Sequence, residues 1–357
     1  MRARMLICAA AALVIAAVLS VSTSGQAPTR GTTEKPLSAA RTPWGHPDLQ
    51  GVYNVQTLTP LERPKESTGV LSLTKEDADR IAREERERVA TRARPSDPNR
   101  PLPTAGRGVG GYNDFWMDRG QSGFVIDGQY RTSIIVDPAD GRVPAQTTEA
   151  QQRNRRSRGT ASLPTSDALE NIQPDGEGAY DDIELRPYAE RCILAFGSSS
   201  GPPILPNYAY NNLKQIVQTP NTVLLFIEMV HDARIVRLNS QHRPAHIRSW
   251  MGDSIGRWEG ETLVVETTNF TNKTRFRGSS ENLKVIERIR RMDDNTLLYR
   301  FTVEDPSTWA QSWSGEYPWR RTDEHIYEYA CHEGNYAMGD IMRGERILDK
   351  DRAASKK

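Results

Sequence analysis

Leu283-Lys-Val-Ile-Glu-Arg-Ile-Arg-Arg-Met-Asp-Asp-Asn-Thr-Leu-Leu-Tyr-Arg-Phe-Thr-Val-Glu304 reads as two β-strands and the turn between them. Val285, Glu287, Ile289 and Arg291 alternate with Ile286, Arg288 and Arg290, the two-residue period of an extended chain whose side chains point to opposite faces. Asp293-Asp294-Asn295 supplies turn formers, and Thr296 to Glu304 returns rich in β-branched and aromatic residues. Both faces of the first strand carry mixed residues. The alternation therefore gives the element type and leaves the inward face open.

The same composition spreads outward from this hairpin. Leu213 to Gln218, Thr222 to Val230, Ala233 to Leu238, Ile247 to Gly252, Arg257 to Trp258, Thr262 to Thr268 and Ile326 to Cys331 all read as strands. Short turn formers link several of them, among them His231-Asp232 and Glu259-Gly260-Glu261. No helix-length spacer separates the strands, which excludes a parallel α/β sheet. The expected fold class is mainly β. Residues 211–332 form an antiparallel up-and-down meander, as an open or elaborated calycin-like barrel whose closure would remove exposed edges.

The preceding half is less regular. Residues 44–210 read as a loop-rich region wrapping the meander, with a strand at Gly51 to Gln56 and a β-rich run at Arg131 to Val136. Thr74 is an N-cap for a peripheral helix to about Thr91, and Thr147 to Arg156 is a second helical candidate. The segments 94–112 and 159–187 lack periodicity, and stretches that long usually cover a surface or line a site. Residues 44–345 are read as a single domain, followed by a polar tail at 346–357.

The first 26 of the 357 residues look like an export signal. Arg2 and Arg4 precede the apolar run Met5 to Leu19, and small residues follow. The run is about 15 residues, short of the ~20 that span a bilayer, so cleavage and a periplasmic or secreted destination are expected, with no membrane span afterwards. Residues 27–43 form a flexible leader. Removing Arg2 and Arg4 leaves 45 basic against 46 acidic side chains. That balance argues against nucleic acid as a partner, and the short cluster Arg153, Arg155, Arg156, Arg158 reads as a solvated surface. Cys8 leaves with the signal, and an even pair, Cys192 and Cys331, remains. In an oxidising compartment a bridge between them is favoured over two buried thiols or a reactive Cys331 beside His332. It would contribute ~4–5 kcal/mol in the chain-entropy model.

Three segments carry a resemblance. Gly252-Asp-Ser-Ile-Gly-Arg-Trp-Glu-Gly-Glu-Thr-Leu-Val-Val-Glu-Thr-Thr-Asn-Phe270, Phe276-Arg-Gly-Ser-Ser-Glu-Asn282 and Tyr327-Glu-Tyr-Ala-Cys-His-Glu-Gly-Asn-Tyr336 resemble signatures of a large family of secreted bacterial proteins of unassigned function. The resemblance covers roughly 44–345 and implies export without implying an activity. Gly51-Val-Tyr53 is more weakly similar to the Gly-x-Trp element of lipocalin-type barrels. Tyr stands where they have Trp, and about 150 residues intervene before the meander. A closed eight-stranded barrel and an open or elaborated one both remain open.

Several constellations are candidates for chemistry. His231-Asp232, flanked by Glu228 and Arg234, places an imidazole and a carboxylate at a strand end, where a barrel cavity opens. His332-Glu333 follows Cys331, and a bridge there would hold the pair rigidly. Both pairs are candidate general acids or bases, against the simpler reading of polar turns with cross-strand partners. Five of the seven Trp lie in the second half. Glu228 and Arg234, with the rings of Trp250, Trp258, Trp313 and Trp319, are candidate ligand-binding residues, and Trp309 to Trp319 is a candidate lid or cap. Ser199 in Gly197-Ser-Ser-Ser-Gly201 matches a nucleophile elbow literally, but Pro202 and Pro203 forbid the helix that must follow, so a loop is expected. His242 and His246 are four apart with Pro244 between them, which argues against a helical zinc pair, and no metal or other cofactor is expected. The leading functional expectation is an exported protein binding a small, partly apolar molecule. A cofactor-independent lyase, isomerase or hydrolase on the same scaffold is the main alternative, and a structural cell-envelope protein the second.

Overall fold

A computed structural model describes residues 40–95, 99, 117–158, 201–207, 210–274 and 276–355, with parts of 180–195 between them. All of these belong to one compact unit, 39–357. The signal, most of the leader and Ser199 lie outside the described residues.

The strands are β1 (Gly51–Asn54), β2 (Ser72–Leu73), β3 (Val125–Ile126), β4 (Gln129–Arg131), β5 (Ile135–Asp137), β6 (Leu213–Gln218), β7 (Thr222–Ile227), β8 (Asp232–Leu238), β9 (Asp253–Glu259), β10 (Thr262–Thr268), β11 (Lys284–Asp293), β12 (Thr296–Glu304) and β13 (Trp313–Arg321). The main sheet runs β1-β6-β7-β8-β9-β10-β11-β12-β13-β5, and β1 also pairs with β13. Nine strands therefore close a barrel. The expectation of a mainly β barrel holds, and the barrel is closed. Closure comes from the distant strand: Tyr53 lies opposite Lys214 on one side and Arg321 on the other. β5 takes the remaining edge of β13, with Ile135 opposite Gly315. β2, β4 and β3 form a separate small sheet.

Four expectations are corrected. β8 and β9 run parallel, Val236 opposite Ser254, so the barrel is not a pure up-and-down meander. The loop 239–252 crosses from one end of the barrel to the other, where the sequence suggested a strand at Ile247 to Gly252. Ile326 to Cys331 is likewise unpaired: its backbone is used elsewhere, Tyr327 N–H donating to the Glu228 carboxylate at 3.3 Å. Trp309 to Trp319, expected as a lid or cap, instead supplies β13 from Trp313 onward. Gly315 in this strand faces Phe301, whose ring leaves no room for a side chain: a Cβ there would stand 2.5 Å from the ring's Cζ.

Among the described residues, three α-helices lie outside the barrel. α1 (Lys75–Arg92) starts where Thr74 accepts from Asp77 N–H at 3.1 Å, the expected cap. α2 (Thr148–Arg158) matches the second candidate, and α3 (Tyr336–Ser355) absorbs most of the supposed polar tail.

Inside, the two-residue period sorts side chains cleanly. Leu297, Tyr299, Phe301 and Val303 of β12 lie opposite Trp319, Tyr317, Gly315 and Trp313 of β13, and all of these side chains are buried. Tyr299 stacks on Trp319 with ring centroids 4.8 Å apart, and Trp313 meets Phe276 and Trp309 at 5.9 and 5.8 Å. Truncating any one of these rings to Ala costs roughly 3–5 kcal/mol.

The barrel's two ends differ. At one, the lead-in to β1 forms a cap: Gln218 Oε1 accepts from Leu49 N–H at 2.6 Å, and Arg291 donates to Asp48 O at 2.7 Å. At the other, the mouth, β6, β8 and β9 begin, and the segment 201–207 enters the lumen. There Ile204 N–H donates to the Tyr299 hydroxyl at 2.7 Å, and the Tyr317 hydroxyl donates to Ile204 O at 2.8 Å.

Candidate functional site

The mouth gathers the chemistry. A disulfide joins Cys192 to Cys331, as the cysteine count suggested, with Cα atoms 5.9 Å apart. It pins two irregular segments, and Asn335 donates to Glu190 O at 2.7 Å across them. Between these segments and α3 lies a cavity of about 390 Å³. Its walls include Tyr210, Tyr329, Cys331, Met338, Ile341 and Glu190. Tyr210 and Tyr329 both line it, and burial pushes the Tyr329 phenol well above its ordinary value, with the Tyr210 phenol adding to the rise. The cavity thus pairs apolar walls with a phenol pair and one carboxylate side chain; the Glu190 carboxylate is itself held by Arg186 at 2.8 Å.

The turn after β7 touches the cavity wall from outside, through His231 and Tyr329. Glu228 is buried and accepts from Leu213 N–H at 3.3 Å as well as from Tyr327 N–H. Val230 and His231 both adopt left-handed backbone, φ 60° and 45°. For a β-branched residue such as Val this is a strained conformation, of order 1–3 kcal/mol, that the surroundings must hold. His231 Nδ1 lies 3.2 Å from Tyr329 O, so the imidazole buttresses the cavity wall.

Lys214 stands behind that turn and was not among the sequence candidates. It points into the barrel, 1% exposed, close enough to Glu228 and Asp232 to feel both charges. Burial pulls its ammonium down to about 7, against the upward pull of the two carboxylates. The signal for it was the alternation Lys214, Ile216, Gln218. Only pairing with Ile227, Leu225 and Val223 on β7 shows that this set faces inward.

The other sequence candidates distribute as follows. Asp232 opens β8 at the mouth, half-buried. Arg234, read as flanking the His231-Asp232 turn, is buried mid-lumen in a two-point ion pair with Glu287. His332 and Glu333 are exposed and sit next to the cavity wall, outside it. Trp313 and Trp319 have no exposed surface, so the lumen around these rings is filled. Trp258 packs against His46 at the capped end, ring centroids 5.3 Å apart, and Trp250 lies on the crossover loop against Tyr188 at 4.9 Å. The structure therefore brings together His231, Asp232, Glu228 and the disulfide, and disperses the four Trp.

His242 is committed to carboxylates: Nδ1 lies 3.0 Å from Asp253 and Nε2 3.3 Å from Glu266. His246 is exposed. Among the described residues no group of three ligand-type side chains is arranged to hold a metal ion, and no helix is long and apolar enough to cross a membrane.

The signature Gly252 to Phe270 forms the β9–β10 hairpin. Gly252 takes φ 71°, and a Cβ there would meet Thr268 O at 2.5 Å; at Gly256 it would meet Val236 at 2.7 Å. No protein-family model and no curated protein matches the chain. Among solved structures the chain is similar to a variant of the fluorescent protein UnaG. The identity is 15%, the TM-score 0.21, and the match covers 31% of this chain and 72% of that one.

Proposed function

We propose that this is an exported small-molecule-binding protein whose ligand occupies the cavity at the barrel mouth. The observation that carries the reading is the cavity itself. At about 390 Å³ it falls within the range of small-molecule sites, and it combines apolar walls with convergent polar groups on a pinned frame. The Met5 to Leu19 run and the disulfide support export. A partly apolar ligand with a hydrogen-bonding group suits the Tyr210–Tyr329 pair.

The test is native mass spectrometry of the protein taken from its own host, beside Ala337→Trp, which fills the cavity from its wall. A retained small molecule in the parent and none in the variant is the expected result. A parent that carries nothing, and whose tryptophan fluorescence stays unchanged on titration with apolar alcohols and phenols, would sink the reading.

An enzyme using His231, Asp232, His332 and Glu333 for proton transfer is the second reading. It is favoured by one observation, the contact of His231 Nδ1 with Tyr329 O on the cavity wall. His231→Ala lowering turnover of a bound ligand without lowering its affinity would separate this reading from simple binding.

A further inference from the structure

Lys214 alone among the described lysines is buried. It occupies the first inward position of β6 at the mouth, opposite Tyr53 on β1 and Ile227 on β7. The charged groups facing it are Glu228, on the turn after β7, and Asp232, at the start of β8. Above and beside it the neighbours are apolar: Ile216, Leu225 and Ile227 are all buried. A lysine in such a place carries a desolvation cost that its ion partners offset only in part. A stabilising role is therefore a weak explanation for an ammonium here.

We propose that Lys214 is a carbonyl-capturing amine, forming an imine with an apolar aldehyde or ketone that enters from the mouth cavity. This rests on the reading of that cavity as a ligand site and names its ligand class. The geometry supplies each requirement. The amine is shielded from bulk water, and two carboxylates flank it. The turn that follows its β7 partner Ile227, Met229 to His231, is the strained one, and the His231–Tyr329 contact fastens it to the cavity wall. Strain held at a turn that touches the cavity wall and adjoins the strand partner of a buried amine marks a segment that can shift when a ligand replaces its contacts.

The chemistry balances without an oxidant or reductant. The neutral nitrogen attacks the carbonyl carbon and a C–N bond forms, while the carbonyl electrons pass to oxygen, which takes up a proton. The carbinolamine then loses that oxygen as water, the nitrogen lone pair closing the C=N bond. Glu228 and Asp232 take and return the protons, and either carboxylate balances the charge of the protonated imine. At pH 7 about half of an amine that titrates near 7 is neutral, against roughly one in 3,000 for an ordinary surface lysine.

The experiment uses the full mature chain at pH 7 with trans-cinnamaldehyde and sodium cyanoborohydride, followed by peptide mass mapping. The adduct is expected on Lys214 at least tenfold above any other lysine, and this preference is expected to shrink as the pH is raised to 10. Lys214→Met, checked for folding by near-ultraviolet circular dichroism, is expected to lose that adduct alone. Labelling spread over surface lysines with Lys214 unmodified in the folded parent overturns the proposal, whether or not the variant folds. Cinnamyl alcohol, which cannot form an imine, separates the two readings. Tryptophan quenching by the alcohol without a Lys214 adduct overturns imine capture and leaves the cavity as a binding site. No quenching and no adduct overturns both.

Discussion

Arg234 and Glu287 meet inside the barrel from strands three apart, Nη1 to Oε2 at 2.5 Å and Nη2 to Oε1 at 2.7 Å, with side chains 3% and 0% exposed. Glu287 also accepts from the Tyr299 hydroxyl at 2.5 Å, and that hydroxyl in turn accepts from Ile204 N–H. The ion pair therefore anchors the network that holds the 201–207 segment in the lumen. Burial keeps the Tyr299 and Tyr317 phenols well above their ordinary value, so both act as neutral donors.

Removing one partner strands the other charge in an apolar interior. Glu287→Ala is expected to cost about 3–5 kcal/mol, whereas Arg234→Met with Glu287→Leu recovers most of that loss. Urea unfolding of the two variants beside the parent checks this. Equal destabilisation by both would mean that the contact contributes net stability as a pair.

Gly315 tests the packing of the same lumen by steric means. Gly315→Ala drives a methyl group into the Phe301 ring and toward Ile134 O, 3.0 Å from the added carbon. The expected cost is about 1–3 kcal/mol, as for overpacked cores. Gly260→Asn is the control. This turn glycine has φ 58° and open space around it, and Asn tolerates that backbone. A loss of less than 1 kcal/mol is expected there, read from thermal unfolding. A neutral Gly315→Ala would show that Phe301 has room to move.

The disulfide offers a test of the mouth. Cys192 and Cys331 are 139 residues apart, so opening the bridge releases a long loop in the unfolded chain. Cys331→Ala is expected to cost about 2–5 kcal/mol. Because the bridge also frames the cavity, limited proteolysis should cut first near 189–195 or 329–335 in the variant. Unchanged cleavage kinetics would mean that Asn335 and α3 hold the mouth without it.

These residues also show what could be read from sequence. Runs rich in β-branched residues such as Thr262 to Thr268 announce strands by composition, and the Thr74 cap is a local signal with a local cause. Barrel closure was not legible, because the four residues of β1 find their partners about 160 and 270 positions away. Nor was the inward face. Arg234, Glu287 and Lys214 are residue types normally found on surfaces, and only cross-strand register turns them toward the lumen. Ser314, Gly315 and Pro318 disguised β13 as a loop. In place, Gly315 yields to Phe301, and Pro318 sits opposite Leu298 between the inward rings Tyr317 and Trp319. The candidate site was half visible for the same reason: His231 and Asp232 mark a turn by composition, whereas Lys214 needed the register of two neighbouring strands.

Lys214 makes the stability of this fold depend on pH in a definite direction. Its folded-state pKa of about 7 lies below the ordinary 10.5, so between those values the unfolded chain binds more protons than the folded one. Stability must then rise with pH across that window, by up to about 1.4 kcal/mol per unit from this group. Below about 7 the amine is protonated in both states, and the full cost of burying it is expressed. Lys214→Met removes the titration while keeping much of the apolar stem. The parent is expected to gain on this variant steadily from pH 7 to 10, in urea unfolding at matched ionic strength, because titrations elsewhere cancel in the difference. A difference that stays flat across the window would mean that Lys214 keeps an ordinary proton affinity in the fold, and that Glu228 and Asp232 fully offset its burial.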